Sequence, residues 1–225
     1  MYTDIQIQAT EDGSATLYVP SLLETYHSSK GALGESLHVY IDNGLLPMLA
    51  IKPHIHVLEV GFGTGLNVLL SLQSVMPGQS VSMQSLEPFM LPENTLLKYY
   101  ESFAIKPQSL SYLSQMLSGA GIKRLKDNFE FELLNVGLES YNTSNLMHQA
   151  PIDLVYFDAF APSKQADLWA AHYFSQLFDL MSSKARLVTY CAQGQFKRDL
   201  KQVGFEVMNP PGAFGKREMT VAIKP

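Results

Sequence analysis

Three acids stand at predicted ends of apolar strands, where side chains emerge into a turn: Glu59, Glu87 and Asp158. The first opens the run Glu59-Val60-Gly61-Phe62-Gly63-Thr64-Gly65-Leu66-Asn67. Glycines between a strand and a helix let the backbone turn tightly and approach a ligand closely. The spacing is GxGxG, not the GxGxxG of dinucleotide sites. A carboxylate two residues before the first glycine can hold an ammonium group and opposes a pyrophosphate. The turn therefore predicts a cationic ligand at the carboxyl end of its strand. A plain tight turn is the bland reading, and the strand context together with Glu59 outweighs it.

A sulfonium joined to an amino acid fits that description, so S-adenosylmethionine is the candidate. Glu59, Gly61, Gly63, Thr64, Gly65 and Asn67 are its expected lining. Glu87 ends the second predicted strand, 22 residues after Gly65. At that distance a carboxylate can accept both ribose hydroxyls of an adenosine. Its alternative is a solvated acid before the Pro88 turn. Asn135 ends the third predicted strand, and its amide can both donate to and accept from an adenine edge. A turn-forming Asn before Gly137 is an equal alternative.

The fourth strand ends in Tyr156-Phe157-Asp158-Ala159-Phe160-Ala161-Pro162. An Asp leaving an apolar strand at the carboxyl edge of a sheet sits where chemistry usually occurs. Its layout resembles the acidic-then-aromatic loop of amine-methylating enzymes, with the acid on the target amine and the ring on its carrier. An amine must lose a proton before it attacks a methyl group, and an ordinary Asp is a poor base for an alkylamine. Asp158 is therefore assigned positioning and electrostatics first, proton acceptance second. It is also counted among the cofactor contacts.

Rival chemistries are thin. Tyr26-His27-Ser28-Ser29-Lys30 has the Tyr-x-x-x-Lys spacing of short-chain dehydrogenases, but it precedes the first Rossmann-type strand. His54 and His56 share a side at a strand start without a third ligand, so no metal is expected. There is no Gly-x-Ser-x-Gly elbow and no P-loop.

The elements that must carry these residues read as follows. Strands are expected at Ile55–Gly61, Val81–Leu86, Phe129–Val136, Ile152–Phe157 and Arg186–Cys191, with closing strands Phe205–Met208 and Met219–Ile223. Helices are expected over Leu66–Val75, Pro92–Phe103, Ser109–Leu117, Asp167–Ser182 and Gln195–Val203. Such βα alternation predicts an α/β fold, a mostly parallel sheet with helices on both faces. Before it lie a hairpin (Ile5–Ala9, Thr16–Val19) and a helix over Ala32–Leu46. The expected division is an N-terminal extension, residues 1–54, and a Rossmann-like binding domain, residues 55–225, forming one compact unit.

Taken together, the motifs resemble a known family, the tRNA 5-aminomethyl-2-thiouridine methyltransferases of the MnmC/MnmD type. The chain is similar to the methyltransferase half of the bifunctional form and still more to the stand-alone form. The matching stretches are Tyr26-His27-Ser28, Gly34 through Tyr40, GFGTGLN at 61–67, Ser85-Leu86-Glu87-Pro88, Asp158 through Lys164 with Leu168-Trp169, and Phe214 through Met219. The resemblance implies a class I Rossmann-like methyltransferase that uses S-adenosyl-L-methionine. Its acceptor would be the aminomethyl nitrogen of the tRNA wobble uridine. Gly61, Gly63 and Gly65 would line the cofactor, Glu87 would hold its ribose, Asp158 would sit at the reacting amine, and Phe160 would stack on the uridine. Asn135 departs from the acid usual near that strand end. The FAD-dependent oxidase half is absent from this chain.

Charge fits two ligands of opposite sign. The net charge of −5 hides a polarity. Residues 1–115 hold four lysines and ten acids, and residues 184–225 hold eight basic residues against three acids. The basic segment would meet tRNA phosphates through Lys197, Arg198, Lys201, Lys216 and Arg217, with Lys164 beside the Asp158 loop. The single Cys191, the lack of a signal-like start and the lack of a ~20-residue apolar run predict a cytoplasmic protein with no membrane partner. The sequence leaves the oligomeric state open, with a monomer sufficient. Two other functions remain open here. One is a class I methyltransferase acting on a small-molecule or protein amine, and the other a non-catalytic methyltransferase fold that binds RNA.

Overall fold

The computed structural model describes residues 4–104 and 107–225. The N-terminal hairpin forms as β1 (Gln6–Ala9) and β2 (Ala15–Val19), and a two-residue strand, β3 (Glu24–Thr25), adds to it. A continuous helical segment follows: α1 (Ala32–Ser36), a π-helical stretch (Leu37–Leu45) and α2 (Leu46–Ile51). It outlasts the expected end at Leu46. Pro47 falls where one winding gives way to the next, and its missing N–H is tolerated there.

The main sheet is built from β4 (His54–Val60), β5 (Ser80–Leu86), β6 (Lys123–Lys126), β7 (Phe129–Leu134), β8 (Ile152–Phe157), β9 (Met181–Thr189), β10 (Glu206–Met208) and β11 (Thr220–Ile223). Its order is β10-β11-β9-β8-β4-β5-β7-β6. The inner five strands are parallel, and β6, β10 and β11 close the edges in antiparallel pairs. Chain order reverses at β4, between β5 and β8, which is the switch point where open α/β sheets bind ligands. The expected mixed α/β fold with a mostly parallel sheet is therefore the observed one.

Helices α3 (Leu66–Ser74), α4 (Glu93–Glu101), α5 (Leu113–Leu117), α6 (Ala171–Leu180) and α7 (Gly194–Val203) complete the layers. One core layer joins Val57, Met83, Leu154 and Tyr156 to Leu69, Leu72, Tyr40 and Leu45. The other joins Leu58, Val60 and Phe157 to Phe174, Leu177, Phe196 and Leu200. Every residue from Leu66 to Leu72 is buried, because α3 lies between the sheet and the N-terminal helical segment. Such all-round burial suits its largely apolar sequence, in which the buried Asn67 and Ser71 bond to Asp158 and Tyr156.

Further differences from expectation concern α6, β9 and β6. The helix expected over Asp167–Ser182 breaks at Ala170, whose backbone is extended, so α6 starts only at Ala171. The Trp169 ring packs edge-on to Phe157 and Phe196, and its Nε1–H donates to the Phe160 carbonyl at 2.8 Å, which fixes the break. Strand β9 starts at Met181, not at Arg186. Met181 pairs with Ile152, and the hydroxyl of Ser182 donates to Asp153 at 2.7 Å. Lys184 takes a left-handed turn within that strand (φ 63), and its N–H donates to the Lys224 carbonyl. Strand β6 was not expected at all. Its Lys-Arg-Leu-Lys sequence buries only Leu125, and charged side chains suit an exposed sheet edge.

Candidate functional site

The carboxyl ends of β4, β5 and β8 open onto a cavity of about 240 Å³. Gly61, Gly63 and Gly65 all adopt positive φ (95°, 52° and 78°). At Gly61 a Cβ would lie 2.5 Å from the Asp158 carbonyl oxygen, so only glycine brings β4 and β8 this close. The turn exists because Gly61 and Phe62 both donate to the Leu86 carbonyl, and Gly65 donates back to Phe62.

Glu87 faces the cavity, and its oxygens accept the N–H groups of Gly63 (3.0 Å) and Phe89 (2.9 Å). Burial raises its carboxyl above the usual range, and those two N–H groups oppose the rise. Thr64 lies in the wall, its Oγ1 2.9 Å from His27 Nε2, and its carbonyl accepts from Tyr100 at 3.1 Å. Burial holds His27 down to about 4, so this imidazole is neutral at pH 7.

Asp158 is held through both of its oxygens. Tyr40 donates its hydroxyl to Oδ1 at 2.5 Å, and Asn67 donates its amide to Oδ2 at 2.8 Å. The same Asn67 nitrogen reaches Glu59 Oε1 at 3.0 Å, and Ser85 Oγ donates to Glu59 Oε2 at 2.5 Å. Asp158, Asn67 and Glu59 thus form one chain running from the cavity into the sheet. Glu59 is fully buried beneath the cavity wall and does not line it. Its place is a layer behind the one expected, because β4 pairs Glu59 with Ser85 on one side and Tyr156 on the other. Burial raises the Glu59 carboxyl to about 8 and that of Asp158 to about 6. The buried Oδ1 of Asn67 has no hydrogen-bond partner among the described residues.

Phe160 lies in the same wall, edge-on to Tyr26 at a ring distance of 5.0 Å. Asn135 does not reach the cavity. It is exposed past the end of β7, and the wall there is built by Gly137, Leu138 and Glu139. The chain curls inward two residues later than the strand pattern suggested.

The expected phosphate contacts divide. Arg198 and Arg217 are exposed, with Arg198 bonded to Gln195 on its own helix. Lys197 is drawn into an ion pair with Glu218 at 3.1 Å, its side chain 13% exposed. Lys201 is exposed in the last turn of α7, about 10 Å along the axis from the end beside β9. Lys164 donates to the Leu22 carbonyl and so ties the Asp158 loop to the N-terminal sheet. Lys216 lines the cavity in an ion pair with Glu35.

Among the wall residues to which strand-end patterns assign no role are Tyr40, His27, Glu35 and Tyr190. All but Tyr190 precede the first Rossmann strand, where strand-end logic assigns nothing. The signal was present in the polar and aromatic stretches 26–28 and 34–40, which the family resemblance includes. The partners of Tyr40 and Glu35 across the cavity, Asp158 and Lys216, lie more than a hundred positions later.

Known proteins place this cavity in context. Residues 110–225 match a family model described as S-adenosyl-L-methionine-dependent methyltransferase. The chain is 31% identical over 212 residues to the tRNA 5-methylaminomethyl-2-thiouridine biosynthesis bifunctional protein MnmC of Cupriavidus necator, covering 91% of this chain and 32% of that protein. The protein of the same name from Azoarcus sp. is 31% identical over 225 residues, covering 96% of this chain and 35% of its own length. The chain thus spans about a third of these relatives. A crystal structure of MnmC2 from Aquifex aeolicus superposes with a TM-score of 0.78 at 26% identity, over 97% of this chain and 69% of that one.

Proposed function

This chain belongs to the S-adenosyl-L-methionine-dependent methyltransferases, and we propose that it methylates the 5-aminomethyl nitrogen of the tRNA wobble 2-thiouridine, giving 5-methylaminomethyl. The observation that carries the acceptor is Asp158: a carboxylate gripped by Tyr40 and Asn67, next to Phe160, in one cavity with Glu87. Its support is similarity to the MnmC proteins along nine-tenths of the chain.

The cavity suits the donor. Bare glycines at the β4 turn leave room for close approach, the Asn67 oxygen lacks a partner, and buried acids without a cation hold their protons tightly. Glu87 would hold the ribose hydroxyls, the glycine turn and Thr64 would flank the amino-acid portion, and Asn67 would offer its free oxygen to an ammonium. Glu59 would act from behind by charge, through Asn67. When bound, the donor supplies an activated methyl group. Catalysis by the chain is then alignment and exclusion of water. Asp158 accepts a hydrogen bond from the amine, points its lone pair inward and stabilises the growing positive charge. With its carboxyl raised to about 6, it is a better proton acceptor than an ordinary Asp. Phe160 supplies a face for the uracil ring.

Residues 1–54 act as an extension that completes the site, since Tyr26, His27, Glu35 and Tyr40 all reach the cavity. Exposed Arg198, Lys201 and Arg217 would meet phosphates, and a tRNA substrate places the enzyme in the cytoplasm. Nucleoside mass spectrometry tests the reading. Undermodified tRNA, incubated with the protein and labelled donor, should carry label in 5-methylaminomethyl-2-thiouridine. Label in a protein or a small amine with none in tRNA would overturn it.

A further inference from the structure

Besides Asp158 and Glu87, the cavity wall holds the carboxylate of Glu35. Its Oε2 accepts the Ser28 N–H at 3.1 Å, and its Oε1 pairs with the ammonium of Lys216. The two partners differ in freedom. Glu35 sits on α1 with its side chain 11% exposed, whereas that of Lys216 is 41% exposed on a long flexible stem. Glu35 is also close enough to act on the site electrostatically: burial is the main cause of the raised Asp158 carboxyl, and the charge of Glu35 adds to it.

Lys216 is brought there by the segment after β10, which is strapped onto α1. The Phe214 ring lies so close over Gly34 that a Cβ there would meet it at 2.3 Å. His38 Nε2 lies 2.8 Å from the Pro211 carbonyl oxygen. Phe214 itself takes a left-handed backbone conformation (φ 52). A primary alkylammonium thus occupies the acceptor side of the cavity, held by a fixed carboxylate. This is the same functional group that an aminomethyl substrate presents.

We propose that Glu35 is a specificity-determining residue that receives the substrate's amine alongside Asp158, and that Lys216 holds its place until a phosphate of the same substrate draws the lysine away. The inference rests on the aminomethyl-RNA reading above. It is an exchange of ion pairs. Glu35–Lys216 gives way to Glu35–ammonium and Lys216–phosphate, so no charge is left unpaired. A substrate with both groups completes the exchange. An amine without phosphate must displace Lys216 with nothing to receive it.

The test compares Glu35→Gln and Lys216→Met with the wild type in the full-length protein. Two substrates are used: an anticodon stem-loop RNA carrying 5-aminomethyl-2-thiouridine, and the free 5-aminomethyl-2-thiouridine nucleoside. Glu35→Gln should raise KM for the modified RNA about tenfold to hundredfold, the worth of one charge-assisted hydrogen bond. Affinity for S-adenosylmethionine by calorimetry should not move, and affinity for the same RNA with plain uridine should not fall, since Lys216 is then free to meet a phosphate. Lys216→Met should have opposite effects on the two substrates, raising KM for the RNA and lowering it for the nucleoside. A merely structural role for the pair would weaken both. Unchanged KM for modified RNA in Glu35→Gln, or a nucleoside KM that fails to fall in Lys216→Met, overturns the inference while wild-type turnover keeps the functional reading. A wild type that methylates neither substrate overturns that reading and the inference with it.

Discussion

Asp158 and Glu59 show how two acids of similar sequence context are given different work by depth. Asp158 reaches the cavity and Glu59 stops one layer short, and the Asn67 amide joins them. Replacing Asp158 with Asn should lower kcat at least about 100-fold, because orientation and charge stabilisation both go. Affinity for S-adenosylmethionine should change far less, and calorimetry beside single-turnover kinetics checks the pair of outcomes. Tyr40→Phe removes one of two donors that oppose burial at Asp158. The carboxyl should then rise above about 6 and carry the acidic limb of kcat/KM to higher pH. A pH profile that superposes on that of the wild type would dismiss Tyr40 as a positioning residue. Both acids hold protons more tightly folded than unfolded, so each lowers stability as pH rises. The loss runs from about 4 to about 6 for Asp158 and from about 4.5 to about 8 for Glu59. Glu59→Gln should therefore raise the Tm of the ligand-free protein at pH 8.5 more than at pH 5. A Tm difference independent of pH would mean that Glu59 is ionised throughout. Glu59, Glu87 and Asp158 were legible because strand ends and turns are local patterns. Tyr40 was not, since its partner lies 118 residues away.

At the scale of elements, the β4 turn and the π-helical stretch share the work of shaping the site. Gly61 combines positive φ with a backbone oxygen where its Cβ would be. Gly61→Ala should cost about 2–4 kcal/mol and abolish donor binding, since neither β4 nor β8 can yield. Gly78→Ala is the comparison, also at positive φ (85°) but with open space around it. It should cost only about 1 kcal/mol, as backbone strain alone. Equal losses in chemical denaturation would show that close approach of β4 to β8 is unimportant. The parallel strands β4, β5 and β8 were readable within a residue or so, because β4 and β8 are short, mainly apolar runs and β5 alternates Val81 and Met83 with polar residues. The start of β9 was not. Ser182, Ser183 and Lys184 look like a loop, yet Ser182 donates to Asp153, Ser183 to the Pro225 carbonyl and Lys184 to the Lys224 carbonyl. Strand β6 hid for the same reason, since at an edge the ladder with β7 defines it, not its own side chains.

In the whole molecule, the sheet separates two ends with different duties. At the end away from the cavity, Asp153 is buried and accepts from Lys52 (2.8 Å), His56 N–H (3.0 Å) and Ser182 (2.7 Å). It joins β8 to both β9 and the segment leading into β4. Asp153→Ala should cost about 2–3 kcal/mol, seen as a lower midpoint in urea with unchanged kcat, because it strands donors without touching the cavity. The basic C-terminal segment is likewise divided by the fold. Lys224 donates to the Phe178 and Met181 carbonyls and lies over the Phe178 ring, and Lys197 is paired with Glu218. Arg217→Ala should therefore flatten the salt dependence of tRNA binding by nearly one counterion, while Lys197→Ala leaves the slope almost unchanged. Equal slopes for the two variants would deny that pairing decides which charges meet RNA. By itself the sequence determined the α/β alternation, the glycine turn and the acids at three strand ends, because each is set by residues within one turn or strand of one another. Only the tertiary structure decided which acid faces the cavity, which basic residues stay free, and that α1 and the π-helical stretch supply Glu35 and Tyr40. Those outcomes depend on which distant segments close upon the sheet, and long-range packing leaves no periodic mark in either segment.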